Sequence, residues 1–153
     1  MKHYKDEKNN IFAYESDGSQ DAFIKEGLVP ISDEDLAAMI APTTEQLLSQ
    51  LTAARKEQEQ QGVDINGIRY AGDPGNRQAL QEAISFMDYA GLTEFPTWKD
   101  SDGAFHQNNP LADVKDAARA IGARRSQLIA AEGEYAAQII AGTLTDLTEV
   151  VWP

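Results

Sequence analysis

Residues 63–77 constrain the fold more than any other stretch of the chain. They read Val-Asp-Ile-Asn-Gly-Ile-Arg-Tyr-Ala-Gly-Asp-Pro-Gly-Asn-Arg. Asn66-Gly67 between alternating apolar residues signals a two-residue type I′ hairpin, because both residues tolerate positive φ. That register sets Ile65 opposite Ile68 and Val63 opposite Tyr70 on one face, and Asp64 opposite Arg69 on the other. Cross-strand pairs of both kinds are favourable, by about 0.2–1 kcal/mol each. Asp73-Pro74 then supplies an N-cap and an N1 proline, with Asn76 as an alternative cap. The helix that follows is predicted to reach Ala90, with Leu80, Ala83, Ile84 and Met87 as its stripe and Gly91 as its stop.

Upstream, residues 2–5 and 11–15 read as two short strands joined by polar turn residues. Phe23, Ile24, Leu28 and Val29 form a third apolar stretch. Ser32 or Asp33 caps a short helix through Ile40, with acidic residues in the first turn where the helix dipole favours them. Thr43 and Gln46 fit a capping box for a helix running to Gln61. Its stripe of Leu47, Leu48, Leu51 and Ala54 fades into a polar run, the pattern of a connecting helix. The expected organisation is therefore a β-rich module over 1–42, a connecting helix over 43–62, and an α+β domain over 63–153 built of two hairpins and two helices.

Within that domain, Asp100-Ser101-Asp102-Gly103 reads as a four-residue hairpin loop, which sets Trp98 opposite Phe105 and Thr97 opposite His106. Asn109-Pro110 repeats the cap-plus-proline device. A helical pattern then runs from Leu111 towards Ala141, with Leu111, Val114, Ala118, Ile121, Leu128, Tyr135 and Ile139 as its stripe. Arg125 and Glu132 stand at two expected apolar positions. Continuous, such a helix is roughly 45–50 Å long at about 1.5 Å per residue, so it either bends near Gly122 or Gly133 or projects. The 74–90 helix is the expected partner of its stripe, and self-association of a second copy through 111–141 is the sharper alternative. Thr143 to Trp152 is expected to dock as a final strand or turn.

Chemistry narrows the function mainly by exclusion. The chain has no cysteine, so disulfides and thiolate metal sites are excluded. The two histidines, His3 and His106, form no zinc-helix pair. Asp100-Ser101-Asp102-Gly103 fails the calcium-loop pattern, with Ala104, Phe105 and Leu111 where a ligand, a glycine and a ligand are needed. No phosphate-binding loop or nucleophile elbow is present. The net charge of −12 is spread evenly, and the only basic cluster is Arg119, Arg124 and Arg125, so nucleic acid is not an expected partner. No apolar run spans a membrane, and the N-terminus lacks the apolar region of a secretory signal. No catalytic residue, cofactor or metal is expected, and the chain reads as a non-enzyme.

Two segments carry a resemblance. Met1 to Gln20, with Ile24-Lys25-Glu26-Gly27-Leu28-Val29-Pro30-Ile31-Ser32, resembles the opening module of the tail fibre assembly proteins of bacteriophages and prophages. Residues 63–153 are similar to a domain of unassigned function common in the C-terminal part of such phage proteins. The landmarks are Ile65-Asn66-Gly67-Ile68-Arg69-Tyr70, Arg77, Trp98-Lys99-Asp100, Asp102-Gly103, the Ala-rich helix and Val151-Trp152-Pro153. The resemblance implies a chaperone that binds the C-terminal region of a trimeric tail fibre protein and promotes its folding, acting in the cytoplasm of the bacterial host. The alternative is a structural virion protein held permanently on the fibre or tail tip. The expected partner-binding residues are the aromatics Tyr4, Phe12, Tyr14, Trp98 and Phe105 and the acidic pair Asp33 and Glu34.

Overall fold

The computed structural model describes all 153 residues. The fold is mixed α+β and divides into two compact units, Met1–Thr43 and Thr44–Pro153.

The first unit is a three-stranded antiparallel sheet followed by a short helix. Strands β1 (Lys2–Lys5), β2 (Ile11–Tyr14) and β3 (Val29–Ile31) lie in the order β2-β1-β3. The third strand extends the sequence reading, which found only an apolar stretch there. Pro30 interrupts that stretch and is tolerated because β3 is an edge. Helix α1 (Asp33–Ile40) starts at Ser32, whose hydroxyl accepts from the Asp35 amide at 3.0 Å. No residue of this unit is fully buried.

The second unit holds α2 (Thr44–Gln61), β4 (Val63–Ile65), β5 (Ile68–Tyr70), α3 (Pro74–Ala90), β6 (Glu94–Lys99), β7 (Phe105–Pro110) and α4 (Leu111–Ile140). All thirteen buried apolar residues lie here, between Leu47 and Leu144. The first hairpin has the expected register, with Asn66 and Gly67 at φ 53° and 77°. Asp73 caps α3 by accepting from Gly75 and Asn76 amides, and Gly91 closes it.

The structure departs from the sequence reading at several points and decides one alternative that the reading left open. First, α2 is not a connector, and the unit boundary falls at Thr43, not Gly62. Its stripe does not fade; it continues in charge. Leu47 and Leu51 pack with Ile139 and Leu144. One turn on, Thr52 and Arg55 meet Glu132 at 2.7 and 2.6 Å, and Glu59 takes Arg55, Arg77 and Arg125. Arg125 and Glu132, the two polar interruptions of the α4 stripe, thus pair with the polar continuation of α2. Second, α4 is one unbroken helix of 30 residues. Its stripe is covered inside the chain by α2 as well as α3.

Third, the second hairpin is slipped by one residue from the expected register. Trp98 faces His106 and Lys99 faces Phe105. The turn from Asp100 to Gly103 is followed by a second closing bond from the Asp100 amide to the Ala104 carbonyl at 2.9 Å. This is a type I turn with a glycine bulge, and Gly103 at φ 91° takes the left-handed position. The bulge adds the residue that a four-residue loop omits. Asn109 also departs from expectation. It does not cap α4, whose N-cap is Pro110 with no side-chain bond; it is buried, and its amide donates to the Tyr70 hydroxyl at 3.0 Å. The C-terminal tail docks as a 3₁₀ turn, Leu147–Glu149, not as a strand. Trp152 then meets Tyr135 edge-on.

One close approach fixes how the end of α2 meets the first hairpin. Gly62 has φ 67°, and a Cβ there would sit 1.9 Å from the Tyr70 carbonyl oxygen; one on Gly72 would sit 2.1 Å from that of Glu59. Only glycines let the end of α2 press against the exit of the first hairpin.

Candidate functional site

In the first unit, Tyr4, Phe12 and Tyr14 share one sheet face, because Tyr4 pairs with Phe12 and Lys2 with Tyr14. Tyr4 and Tyr14 meet edge-on at 5.6 Å. The segment between β2 and β3 folds over this face. Lys2 binds Asp21 at 2.7 Å, and Lys25 lies 5.9 Å from the centre of the Phe12 ring. The three aromatics are therefore half-buried by their own chain. Phe23 on the covering segment and Val29 and Ile40 beyond it are exposed. Asp33 and Glu34 stand exposed on the first turn of α1, with Asp33 3.8 Å from His3 Nδ1.

The turn joining β1 and β2 is held by Asp6. Its carboxylate accepts from the Asn10 side chain and from the Asn10 and Lys8 amides, which holds its pKa below the ordinary carboxylate value. Asp17 is lowered likewise, first by the Ser19 hydroxyl and then by its amide. Beside Phe12 opens a cleft of about 490 Å³ lined by Asp6, Glu7, Lys8, Lys25 and Glu26.

In the second unit, a polar cleft of about 940 Å³ lies among β5, the start of α3 and the β6–β7 loop. Asp100 organises that loop. It accepts from the Asp102 and Ala104 amides at 2.9 and 2.8 Å and faces His106 Nε2 at 2.7 Å. The histidine bond, ahead of the two amides, lowers its pKa. The loop also docks on the edge of β5: Ser101 donates its amide to the Arg69 carbonyl, and its hydroxyl accepts from the Ala71 amide at 2.7 Å. Arg69 pairs with Asp102, although Asp64 stands opposite it in the ladder. Asp64 instead accepts from the Gly67 amide and closes its own turn. Each carboxylate in the cleft thus has a structural task. Ser101 and His106 are not hydrogen-bonded to each other, so Asp100, His106 and Ser101 form no proton relay.

Trp98 and Phe105 are not brought together. Trp98 packs inward with Phe95 and Tyr70, at 4.9 and 5.8 Å between ring centres. Phe105 is 67% exposed, with Lys99 over its ring at 5.7 Å. The inward positions of this hairpin are three residues apart, Phe95 and Trp98 on β6 and His106 and Asn109 on β7. Between them Pro96 has no N–H and Asn108 is left-handed at φ 55°, which breaks the two-residue alternation.

Two surfaces escaped the sequence reading. Phe86, Tyr89 and Leu92 are exposed at the end of α3, Tyr89 at 93%. The signal was present, since Tyr89 falls opposite the Leu80–Met87 stripe at helical spacing. The other is the free edge of β2, which Pro30 on the opposite edge would have pointed to.

No curated protein and no solved structure matches the chain. A family does match, over residues 42–151: a domain of unknown function, DUF4376. The match covers the whole second unit but for its last two residues, α2 included, and leaves the three-stranded unit outside. Over that span the chain belongs to the DUF4376 family.

Proposed function

We propose that this protein is a tail fibre assembly chaperone of a bacteriophage or prophage, which binds the C-terminal region of a fibre protein and promotes its folding and trimerisation. The observation that carries the reading is the first unit. It holds 43 residues with no fully buried side chain, and it displays Phe23, Val29 and Ile40. Domains near about 40 residues seldom stabilise themselves by a core alone and complete themselves with staples or partners. The second unit, fully cored, serves as the carrier. The resemblance of residues 1–32 to the opening module of fibre assembly proteins supplies the partner class. A site of action in the host cytoplasm during assembly follows from the same reading.

The test is co-expression with a tail fibre protein of the same phage or prophage. Soluble trimeric fibre is expected only when this protein is present. Soluble trimeric fibre made in its absence would sink the proposal.

A further inference from the structure

We propose that the free edge of β2 is a strand-docking site that takes an extended, centrally apolar segment of a partner polypeptide with one basic end. The inference deepens the function proposed above and rests on it, with the fibre's C-terminal region as source of the strand.

The argument starts from hydrogen-bond phase. In an antiparallel ladder, successive residues of a strand point their N–H and C=O alternately to one neighbour and to the other. The Asp6 amide donates to the Asn10 carbonyl at 3.2 Å, in line with the β1–β2 pairs Tyr4–Phe12 and Lys2–Tyr14. These are then the bonded pairs. Ile11 and Ala13 stand opposite Lys5 and His3 in the alternate, non-bonded pairs, so their amides and carbonyls point away from β1. The β3 side agrees. Tyr4 faces Pro30, which has no N–H, so the bonded pairs there are Lys5–Val29 and His3–Ile31.

The two edges therefore differ. On β3 the one residue with outward backbone groups is Pro30, and the proline removes its donor, a common way to blunt an edge. On β2 the outward residues are Ile11 and Ala13, both exposed, and nothing in the chain bonds their amides. The edge sequence Ile-Phe-Ala-Tyr carries neither charge nor proline. It is an open template for one more strand, the geometry of β-strand addition.

The surroundings select the occupant. An added strand would lay alternate side chains beside exposed Ile11 and Ala13 on one face, which favours apolar residues at the centre. On the other face it would reach the cleft beside Phe12. Glu15 and Asp17 stand exposed where β2 ends, while the cleft at its start carries Lys8 and Lys25 beside Glu7 and Glu26, so a cation at the guest end that meets Glu15 and Asp17 complements the edge. A second copy of a chain with net charge −12 would bring like charges together instead.

The experiment uses the full chain and the C-terminal region of a tail fibre protein of the same phage or prophage. Amide hydrogen exchange is measured on the wild-type chain free and bound. The Ile11 and Ala13 amides are expected to exchange fast alone and at least tenfold slower in the complex. Ala13→Pro removes an outward donor without touching a β1 bond and is expected to weaken binding tenfold or more. Pro30→Ala, on the other edge, leaves binding unchanged. Raising the salt concentration weakens the complex. Binding with unprotected Ile11 and Ala13 amides overturns the edge assignment while the chaperone reading stands. No binding to the fibre at all overturns both.

Discussion

The two units of this chain reach order by opposite means. The second has two buried apolar clusters along α4, one around Tyr70, Leu80 and Val114 and one around Leu51, Ile139 and Leu144, with a charge network at Arg125 and Glu132 between them. The first has turns, caps and a sheet, with its aromatics half-covered by a single folded-over segment. Every tryptophan lies in the second unit, at Trp98 and Trp152, so its unfolding can be followed by itself. The difference follows size: the first unit is near the length at which a core alone seldom suffices, and the second is well past it. The cored unit matches a family as a block, and the three strands of the shallow one lie outside that match.

The largest expected effect breaks the comparison from the cored side. Leu128 is fully buried at the centre of α4. Leu128→Ala is expected to cost about 2–5 kcal/mol, from lost transfer energy and the cavity left behind. Urea unfolding followed by tryptophan fluorescence reads it. A loss below about 1 kcal/mol would mean that the site collapses freely and that the contrast in packing is overdrawn.

Next in size is Gly72→Ala. The new methyl would stand 2.1 Å from the Glu59 carbonyl oxygen, and backbone must move on both sides. Overpacking of this kind costs about 1–3 kcal/mol. The shift should also loosen Glu59 from its arginines, so exchange of the amides at the end of α2 is expected to rise with it.

These two positions also mark what the sequence could and could not reveal. The first hairpin was legible to the residue, because Asn66-Gly67 fixes a local turn type and the turn fixes the register. The second was legible as a hairpin but not in register, because its extra residue comes from a glycine bulge whose geometry depends on how Asp100 binds the loop amides. Asn109 looked like a cap because capping is local; its real partner, Tyr70, is 39 residues away. Helix α2 looked like a connector because Arg55 and Glu59 are unlike core residues one at a time. They become interior only when paired with Glu132 and Arg125 across the helix interface. The aromatic face of the first unit was legible from strand alternation, but its cover by residues 17–28 was not, since that depends on the Lys2–Asp21 and Lys25–Phe12 contacts.

From the shallow side, Ser32→Ala removes the hydroxyl that caps α1. Cap losses cost about 1 kcal/mol. With no core beneath it to hold the helix, the effect should appear as faster amide exchange through α1, and the tryptophan transition should not move. A shift of that transition by a comparable amount would show that the first unit's order is not its own.

The smallest expected effect is a response to mild acid, and it sharpens the contrast most. Asp6 and Asp17 bind their turns as carboxylates, and both pKa values lie below the ordinary 3.8. A group whose folded pKa is depressed contributes stability above the unfolded value and loses it as pH falls through the folded one. The contribution therefore fades only below about pH 4. Asp73, Asp100 and Asp146 are lowered in the same sense in the second unit, so its turns face the same loss. What differs is what remains once the turns are protonated: a buried core in one unit and none in the other. Resonances of the Lys8, Asn10 and Ser19 amides should therefore change at a higher pH than tryptophan emission does. If emission changes first, the core is not what separates the two units, and the polar network around Glu59 becomes the element that holds the second one together.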